Sequence, residues 1–401
     1  MTCPYGELCN SCTLLDIPYP RQLEDKQTTV AKMLALGPDC QWLPPVSSKA
    51  FGFRNKAKLA VGGLTGSPVF GITDSRGRGV DLRNCPLYVE AIERAIPGIA
   101  AFVEQLRLEP YDMARRRGEL KYVVVSAGGS GVGGAGEVGK VGGELMLRFV
   151  LRSRRYVALL GRELGRLRAL VPGVRVVSVN LLPEHKAAFQ GDEEILLSEE
   201  SMLPVHVATS WEDLPLFVSS GSFFQTNTEV AGALYGQCRE WVSSLPVVKE
   251  GEIWDLFCGV GGFGLACAGL GRAVLGIESS KEAVACAKAG AEKLRNSNPG
   301  VRVEFLDGDA LQVADSLLAQ GRQPEVLVVN PPRRGLGADL CGWIEDCKPA
   351  FVVYSSCDPA SLARDLADLP GYQAVRARVF DMFPNTNHTE TMVLLSSSNS
   401  G

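Results

Sequence analysis

The stretch Trp254-Asp255-Leu256-Phe257-Cys258-Gly259-Val260-Gly261-Gly262-Phe263-Gly264 decides the fold of the second half of this chain. A short apolar run, residues 253–257, enters a turn crowded with glycine, and a helical pattern follows. Glycine lets the backbone turn tightly and approach a ligand closely, as strand-to-helix loops at nucleotide sites require. Gly259, Gly261 and Gly264 fit G-x-G-x-x-G, a pattern shared by dinucleotide enzymes and methyltransferases, so the loop alone does not choose between them.

Downstream, apolar runs at 273–277, 301–306, 326–329 and 350–354 alternate with helical patterns. From about Ser222 onward this predicts an α/β domain of Rossmann type, a mostly parallel sheet with helices on both faces. The second strand runs into Glu278, an acid suited to a ribose hydroxyl pair, and Asp309 after the third is placed to accept from an adenine amino group. The fourth and fifth strands end in Asn330-Pro331-Pro332-Arg333 and Ser355-Ser356-Cys357-Asp358-Pro359. Both should open at the carboxyl edge, where such sheets bind ligands. Cys357 is surrounded there by polar turn residues. Cys238, Cys267 and Cys286 lie in helical patterns and read as small buried hydrophobes. Near the C-terminus Glu390 begins an apolar strand, where burial would raise its pKa and suit it to general-base work. His388, one of three His, is its rival, with a structural role preferred.

Upstream, residues 51–215 are mostly strand-like, with runs at 122–126, 145–151 and 174–179 and one helical stretch at 156–170. The Gly-rich tract at 127–143 joins two of these strands and reads as a long hairpin loop. No Lys-Ser/Thr follows to make it a phosphate cradle. Basic residues gather here in three groups: Arg54, Lys56 and Lys58; Arg115, Arg116, Arg117 and Lys121; Arg148, Arg152, Arg154 and Arg155. They suit phosphate contacts that position RNA. Residues 1–50 hold a Cys-rich head and a helix at 19–36. Cys3, Cys9 and Cys12 are spaced C-x5-C-x2-C, and Cys85 follows. Four thiolates suit zinc or an iron–sulfur cluster, and spacing does not separate the two. Cys40 is left over.

The 401 residues are 46% hydrophobic, enough for two or three domains with cores. No apolar run is long enough to span a membrane, and the N-terminus lacks the pattern of a signal peptide. A cytoplasmic protein with its twelve Cys reduced is expected. The formal net charge of −4 counts against a nucleic-acid partner unless the basic groups are local patches.

Asp255-Leu256-Phe257-Cys258-Gly259-x-Gly261, Asn330-Pro331-Pro332-Arg333, Ser355-Ser356-Cys357 and His388-x-Glu390 together resemble the RNA uracil-C5 methyltransferases. Phe53-Arg54-Asn55-Lys56-Ala57 and Arg117-Gly118-Glu119-Leu120-Lys121-Tyr122 extend the likeness along nearly the whole chain. The resemblance implies S-adenosylmethionine as methyl donor, Cys357 as nucleophile and Glu390 as base. It implies that Gln225, Phe257, Glu278 and Asn330 bind the donor; related members often carry Asp where this chain has Asn330. It implies a [4Fe-4S] cluster on Cys3, Cys9, Cys12 and Cys85. The Cys set points to the ribosomal branch and 23S rRNA, and Cys3 lies too near the start for the extra N-terminal domain of the other 23S branch. The expected organisation is a Cys-rich iron–sulfur, metal-binding segment and helix at 1–50, a central α+β RNA-binding domain at 51–215 that also supplies Cys85, and a catalytic domain at 216–401. A monomer without protein partners is expected. The rivals are the same chemistry on tRNA, a nicotinamide-dependent oxidoreductase, and a non-catalytic RNA-binding protein.

Overall fold

The computed structural model describes residues 3–73, 79–128, 143–185, 189–246 and 251–398. The chain divides into two compact units. The first comprises residues 1–13, 50–206 and 219–221, and the second residues 14–49, 207–218 and 222–401.

The second unit is built on an eight-stranded sheet. Its order is Gln41–Trp42, Tyr372–Phe380, Glu390–Ser397, Phe351–Ser356, Pro324–Val329, Glu252–Leu256, Ala273–Glu278, Arg302–Asp307. The last five are parallel, and Glu390–Ser397 runs antiparallel to both its neighbours. Val, Ile and Leu fill these strands because both faces are covered, as parallel sheets require. Trp254, Leu275, Ile277, Leu327, Val329, Val352 and Tyr354 form one apolar face, closed by Leu340, Ile344 and Leu362 from helices. The strand order reverses between Glu252–Leu256 and Pro324–Val329. That is the switch point at which such folds leave a crevice. The five strands expected from the sequence are all present, within two residues of their expected ends.

The first unit carries a seven-stranded sheet in the order Gly79–Asp81, Ser67–Thr73, Lys56–Leu64, Leu120–Ala127, Leu145–Leu151, Val174–Leu181, Glu193–Leu196. One pair, Leu145–Leu151 with Val174–Leu181, is parallel, and the other pairs are antiparallel. Ala57, Leu59, Val123, Val125, Leu147, Phe149, Val177 and Val179 face one core, packed against Ile92, Ile96, Ile99 and Phe102 of the Glu90–Gln105 helix. This α+β character agrees with the sequence, but that helix was not expected; Pro97 inside it breaks the helical pattern. The single helix expected at 156–170 is instead a 3-10 turn at Arg154–Tyr156 and two short helices, Val157–Arg162 and Leu164–Leu170. Residues 129–142 of the Gly-rich tract lie outside the described residues. On either side of them, Gly128 N–H donates to Glu144 O at 2.9 Å, and the strands they join are antiparallel neighbours.

The structure groups the N-terminal residues differently from the three-segment expectation. The Tyr19–Leu34 helix belongs with the second unit. Lys26 Nζ donates to Asp381 at 2.6 Å, and Gln22 Nε2 to Asn385 at 3.2 Å, all four residues being buried. Gln41–Trp42 extends the sheet beside Tyr372–Phe380. Only residues up to Thr13 join Cys85 in the first unit. No helix among the described residues is long and apolar enough to cross a membrane.

Candidate active site

At the end of Glu252–Leu256 the chain enters the glycine turn through Phe257, whose φ of +62° is rare for a bulky residue. Backbone of that kind persists where the surroundings over-determine it, and it clusters at ligand sites. Gly261 follows at φ +85°, and a Cβ there would stand 2.8 Å from the Phe305 ring. Asp255 is fully buried beneath the turn and accepts from Gly264 N–H at 2.8 Å. Burial, with some repulsion from Glu278, pushes its carboxyl up to about 8. Glu278 leaves the next strand and accepts from Gly259 N–H at 3.2 Å and Ser280 N–H at 2.8 Å. The turn and the acid are thus locked to each other, with open space where a Cβ on Gly259 would point. Asn330 N–H donates to Leu256 O at 3.4 Å, which sets Asn330 across the switch point from Phe257. Gln225 is buried just before the Thr228–Ser243 helix. Asp309 caps the Ala310–Ala319 helix and accepts from Gln312 N–H at 3.1 Å, a structural job in itself.

Cys357 and Glu390 arrive at the same edge for a topological reason. Cys357 follows the carboxyl end of Phe351–Ser356, and Glu390 starts the antiparallel neighbour, with Ser356 opposite Thr391. Cys357 is half-buried. Burial raises its thiol pKa first, and the Glu390 charge raises it further; the Arg333 guanidinium works in the opposite sense. Glu390 is 1% exposed and accepts from Ser355 Oγ at 2.6 Å. Burial raises its carboxyl to about 7, with the Ser355 hydrogen bond opposing. His388 is exposed, edge-on to Phe383, with its backbone N–H on Thr386 Oγ1.

The Arg333 loop is held from below. Asp365, buried in the Pro359–Ala367 helix, accepts from Leu336 N–H at 2.7 Å and from the Tyr354 hydroxyl. Gly335 at φ +85° is required there, since a Cβ would lie 2.4 Å from Asp365 Oδ2. Beside Cys357 opens a cavity of about 350 Å³, walled by Gln22, Lys26 and Val30 of the Tyr19–Leu34 helix and by Asp358, His388 and Thr389. Lys26 and Asp365 were missed in the sequence, and Ser355 entered only as part of the Ser355-Ser356-Cys357 motif, with no role of its own. Their partners lie far away in the chain, and no local pattern signals them.

In the first unit, Cys3, Cys9, Cys12 and Cys85 share one neighbourhood. Burial pushes the Cys12 thiol up to about 11, and Cys85, Cys3 and Cys9 each add to the shift. Four thiols form a soft donor set that suits a metal cluster, yet among the described residues no three His, Cys, Asp or Glu are spaced as metal ligands. The basic groups divide. Lys58 is exposed and lies over the half-exposed Phe189 ring, 4.9 Å from its centroid, while Tyr122 packs on the same ring. Arg115, Arg116 and Arg117 are exposed. Lys121 turns inward and donates to Glu184 O. Arg148 is buried against Glu194, and Arg152, Arg154 and Arg155 pair with Glu119, Glu193 and Glu109. Each arginine of the third basic group therefore already faces a carboxylate, a pairing that the sequence does not show.

Residues 212–398 match the family model described as tRNA (Uracil-5-)-methyltransferase. Over 387 residues the chain is 42% identical to the 23S rRNA (uracil(747)-C(5))-methyltransferase RlmC of Shigella sonnei (strain Ss046), covering 96% of each. It is 41% identical to the same-named protein of Escherichia coli O139:H28, again over 96% of each. Among solved structures, Pyrococcus abyssi tRNA (uracil-54, C5)-methyltransferase in complex with S-adenosyl-L-homocysteine is similar at a TM-score of 0.74 and 26% identity, covering 97% of this chain and 86% of that one.

Proposed function

The chain belongs to the RNA uracil-C5 methyltransferase family, and from that membership we propose that it methylates C5 of a uridine in 23S ribosomal RNA, with Cys357 as nucleophile and Glu390 as base. The observation that carries the residue assignment is the meeting of a half-exposed thiol and a buried carboxyl group at the carboxyl edge of one sheet.

Uracil C5 is a weak nucleophile. Addition of the Cys357 thiolate at C6 places charge on C5 as an enolate, which can then take a methyl group. S-adenosylmethionine, when bound, supplies that methyl. Glu390 then removes the C5 proton, the C5–C6 double bond re-forms, and the C6–S bond breaks to return the Cys357 thiolate. A carboxyl near 7 accepts a proton at neutral pH and gives it up again, as a base used repeatedly must. Arg333 supports the thiolate form of Cys357 against burial.

Phe257, Glu278 and Asn330 line the switch point, and with Gln225 and Asp309 they make up the donor site in this reading. The locked carboxylate of Glu278 keeps acceptor capacity for a ribose diol. The target base must leave its stack to reach Cys357, so a looped or extrudable uridine is the substrate class. Lys58 with Phe189, and Arg115 to Arg117, are the residues offered for RNA phosphates and bases. Cys3, Cys9, Cys12 and Cys85 would hold a [4Fe-4S] cluster, which when bound would tie the N-terminal segment to the loop before the Glu90–Gln105 helix. The soft donor chemistry of four thiols supports this, and iron and labile sulfide measured on anaerobically purified protein test it.

The deciding experiment mixes the protein and S-adenosylmethionine with ribosomal RNA carrying 5-fluorouracil. Fluorine at C5 cannot leave as a cation, so a denaturant-resistant protein–RNA adduct is expected. Methyl transfer to ordinary RNA without that adduct would overturn the mechanism. The likeness to a tRNA enzyme favours a second reading, the same chemistry on tRNA. The higher identity to rRNA enzymes weighs against it, and methylation of purified 23S rRNA against bulk tRNA decides.

A further inference from the structure

We propose that Ser355 is a positioning residue for the general base, its hydroxyl holding the Glu390 carboxylate in the orientation and charge state that C5 proton removal needs. The proposal rests on the assignment of Glu390 as base. Ser355 is fully buried at the penultimate position of its strand, and its Oγ donates to Glu390 Oε1 at 2.6 Å across to the neighbouring strand. A buried hydroxyl in a strand of Phe, Val and Tyr is costly unless its hydrogen bond is made. That bond goes to the carboxylate assigned as the base. Carboxylates rotate readily about their last bond, so a single fixed donor selects which oxygen lies inward. Oε1 is engaged by Ser355, and in this proposal Oε2 is the oxygen that takes the C5 proton.

The charge state follows from the same contact. Burial alone drives Glu390 toward the protonated form, and the Ser355 hydrogen bond opposes it. Cys357, on the turn after Ser356, and Tyr235, on the Thr228–Ser243 helix, also feel the Glu390 charge. Both are neutral in their resting forms and leave Ser355 as the group that favours the carboxylate. Once Glu390 has taken the C5 proton, the Ser355 hydroxyl loses its charged partner, which helps the carboxyl discharge that proton to water.

The experiment follows release of tritium from RNA labelled at uridine C5, across pH 5.5–10 taken as about the working range for such groups. Wild type, Ser355→Ala, Ser355→Val, Ser355→Thr and Glu390→Gln are compared with S-adenosylmethionine present. A hydrogen bond to a charged group is strong enough to move a pKa by about one to two units. The acid limb of release should therefore move up by about that much in Ser355→Ala and Ser355→Val. At pH 7 release should fall about tenfold, methylated covalent adduct should build up, and the rate should recover in alkali. Ser355→Thr keeps the hydroxyl and should bring the limb back toward its wild-type position. An unmoved limb in Ser355→Ala, in protein that melts as wild type does, would overturn the proposal. Arrest of Glu390→Gln at the methylated adduct upholds the base assignment independently. Normal tritium release by Glu390→Gln would sink that assignment and this inference together.

Discussion

Cys357 and Glu390 are the residues on which chemistry and stability pull in different directions. Truncating Cys357 to Ala removes the half-exposed thiol after Phe351–Ser356 and should abolish methyl transfer and the fluorouracil adduct, while leaving the folding stability within about 1 kcal/mol of wild type. Glu390 is different. Its folded-state value of about 7 lies above its ordinary value of 4.5, so the folded protein holds an extra proton between those pH values. Stability is then highest below about pH 4.5 as far as this group is concerned, and it falls as pH rises through about 7. At pH 8 the ionised group costs on the order of 3 kcal/mol. Glu390→Gln should accordingly be more stable than wild type at pH 8 and gain little at pH 5, as thermal melts at the two pH values would register. Equal shifts at both would mean that the carboxylate is better solvated than its burial indicates. Both residues were legible in the sequence because an edge Cys among turn residues and an acid opening an apolar strand are local patterns. Ser355 was legible as part of a motif but its role was not, since that role lies in a hydrogen bond to a residue 35 positions away.

Among the elements, the Tyr19–Leu34 helix is held by chemistry that its sequence hides. Its buried face is Gln22, Lys26, Val30 and Leu34, two polar residues out of four. Read by hydrophobicity alone this is a weak stripe; it works because Lys26 meets Asp381 at 2.6 Å and also donates to Phe383 O. Burial lowers the Lys26 pKa, and Asp381 acts against that shift. Removing one partner strands the other in the interior, so Lys26→Met or Asp381→Leu should each cost about 3–5 kcal/mol. The double variant should recover much of that loss, and a chemical-denaturation cycle measures the coupling. Additive losses would show that the pair is solvated. The strands of the catalytic sheet were readable because parallel strands buried on both faces are uniform apolar runs. The Glu90–Gln105 helix was not, because Pro97 and its Ile residues imitate strand punctuation, and tertiary packing of Ile92, Ile96 and Ile99 overrides that local preference.

At the scale of the whole molecule, a net charge of −4 must be reconciled with an RNA substrate. The sequence offers many cations in the first unit, and it does not show which are spent internally. The structure sorts them: Arg148, Arg152, Arg154 and Arg155 each face a carboxylate, and Lys121 is buried on a carbonyl. A cation already neutralised adds little to counterion release when phosphate arrives. Arg115, Arg116 and Arg117 are exposed, and among the described residues only Arg115 of the three has an ion pair, a loose one at 3.7 Å to Asp112. Replacing these three by Ala should therefore flatten the dependence of log affinity on log salt by up to about 2, since each single-strand phosphate contact contributes about 0.7. Replacing Arg152, Arg154 and Arg155 should flatten it by much less, although both triple variants remove the same formal charge. The comparison controls for net charge, because long-range attraction falls equally in both. Filter-binding titrations of 23S rRNA fragments from low to moderate salt would read the two slopes. A larger change from the paired arginines would mean that their carboxylate partners release them on binding, and that the RNA surface of the first unit lies along Leu145–Leu151 and the turn after it.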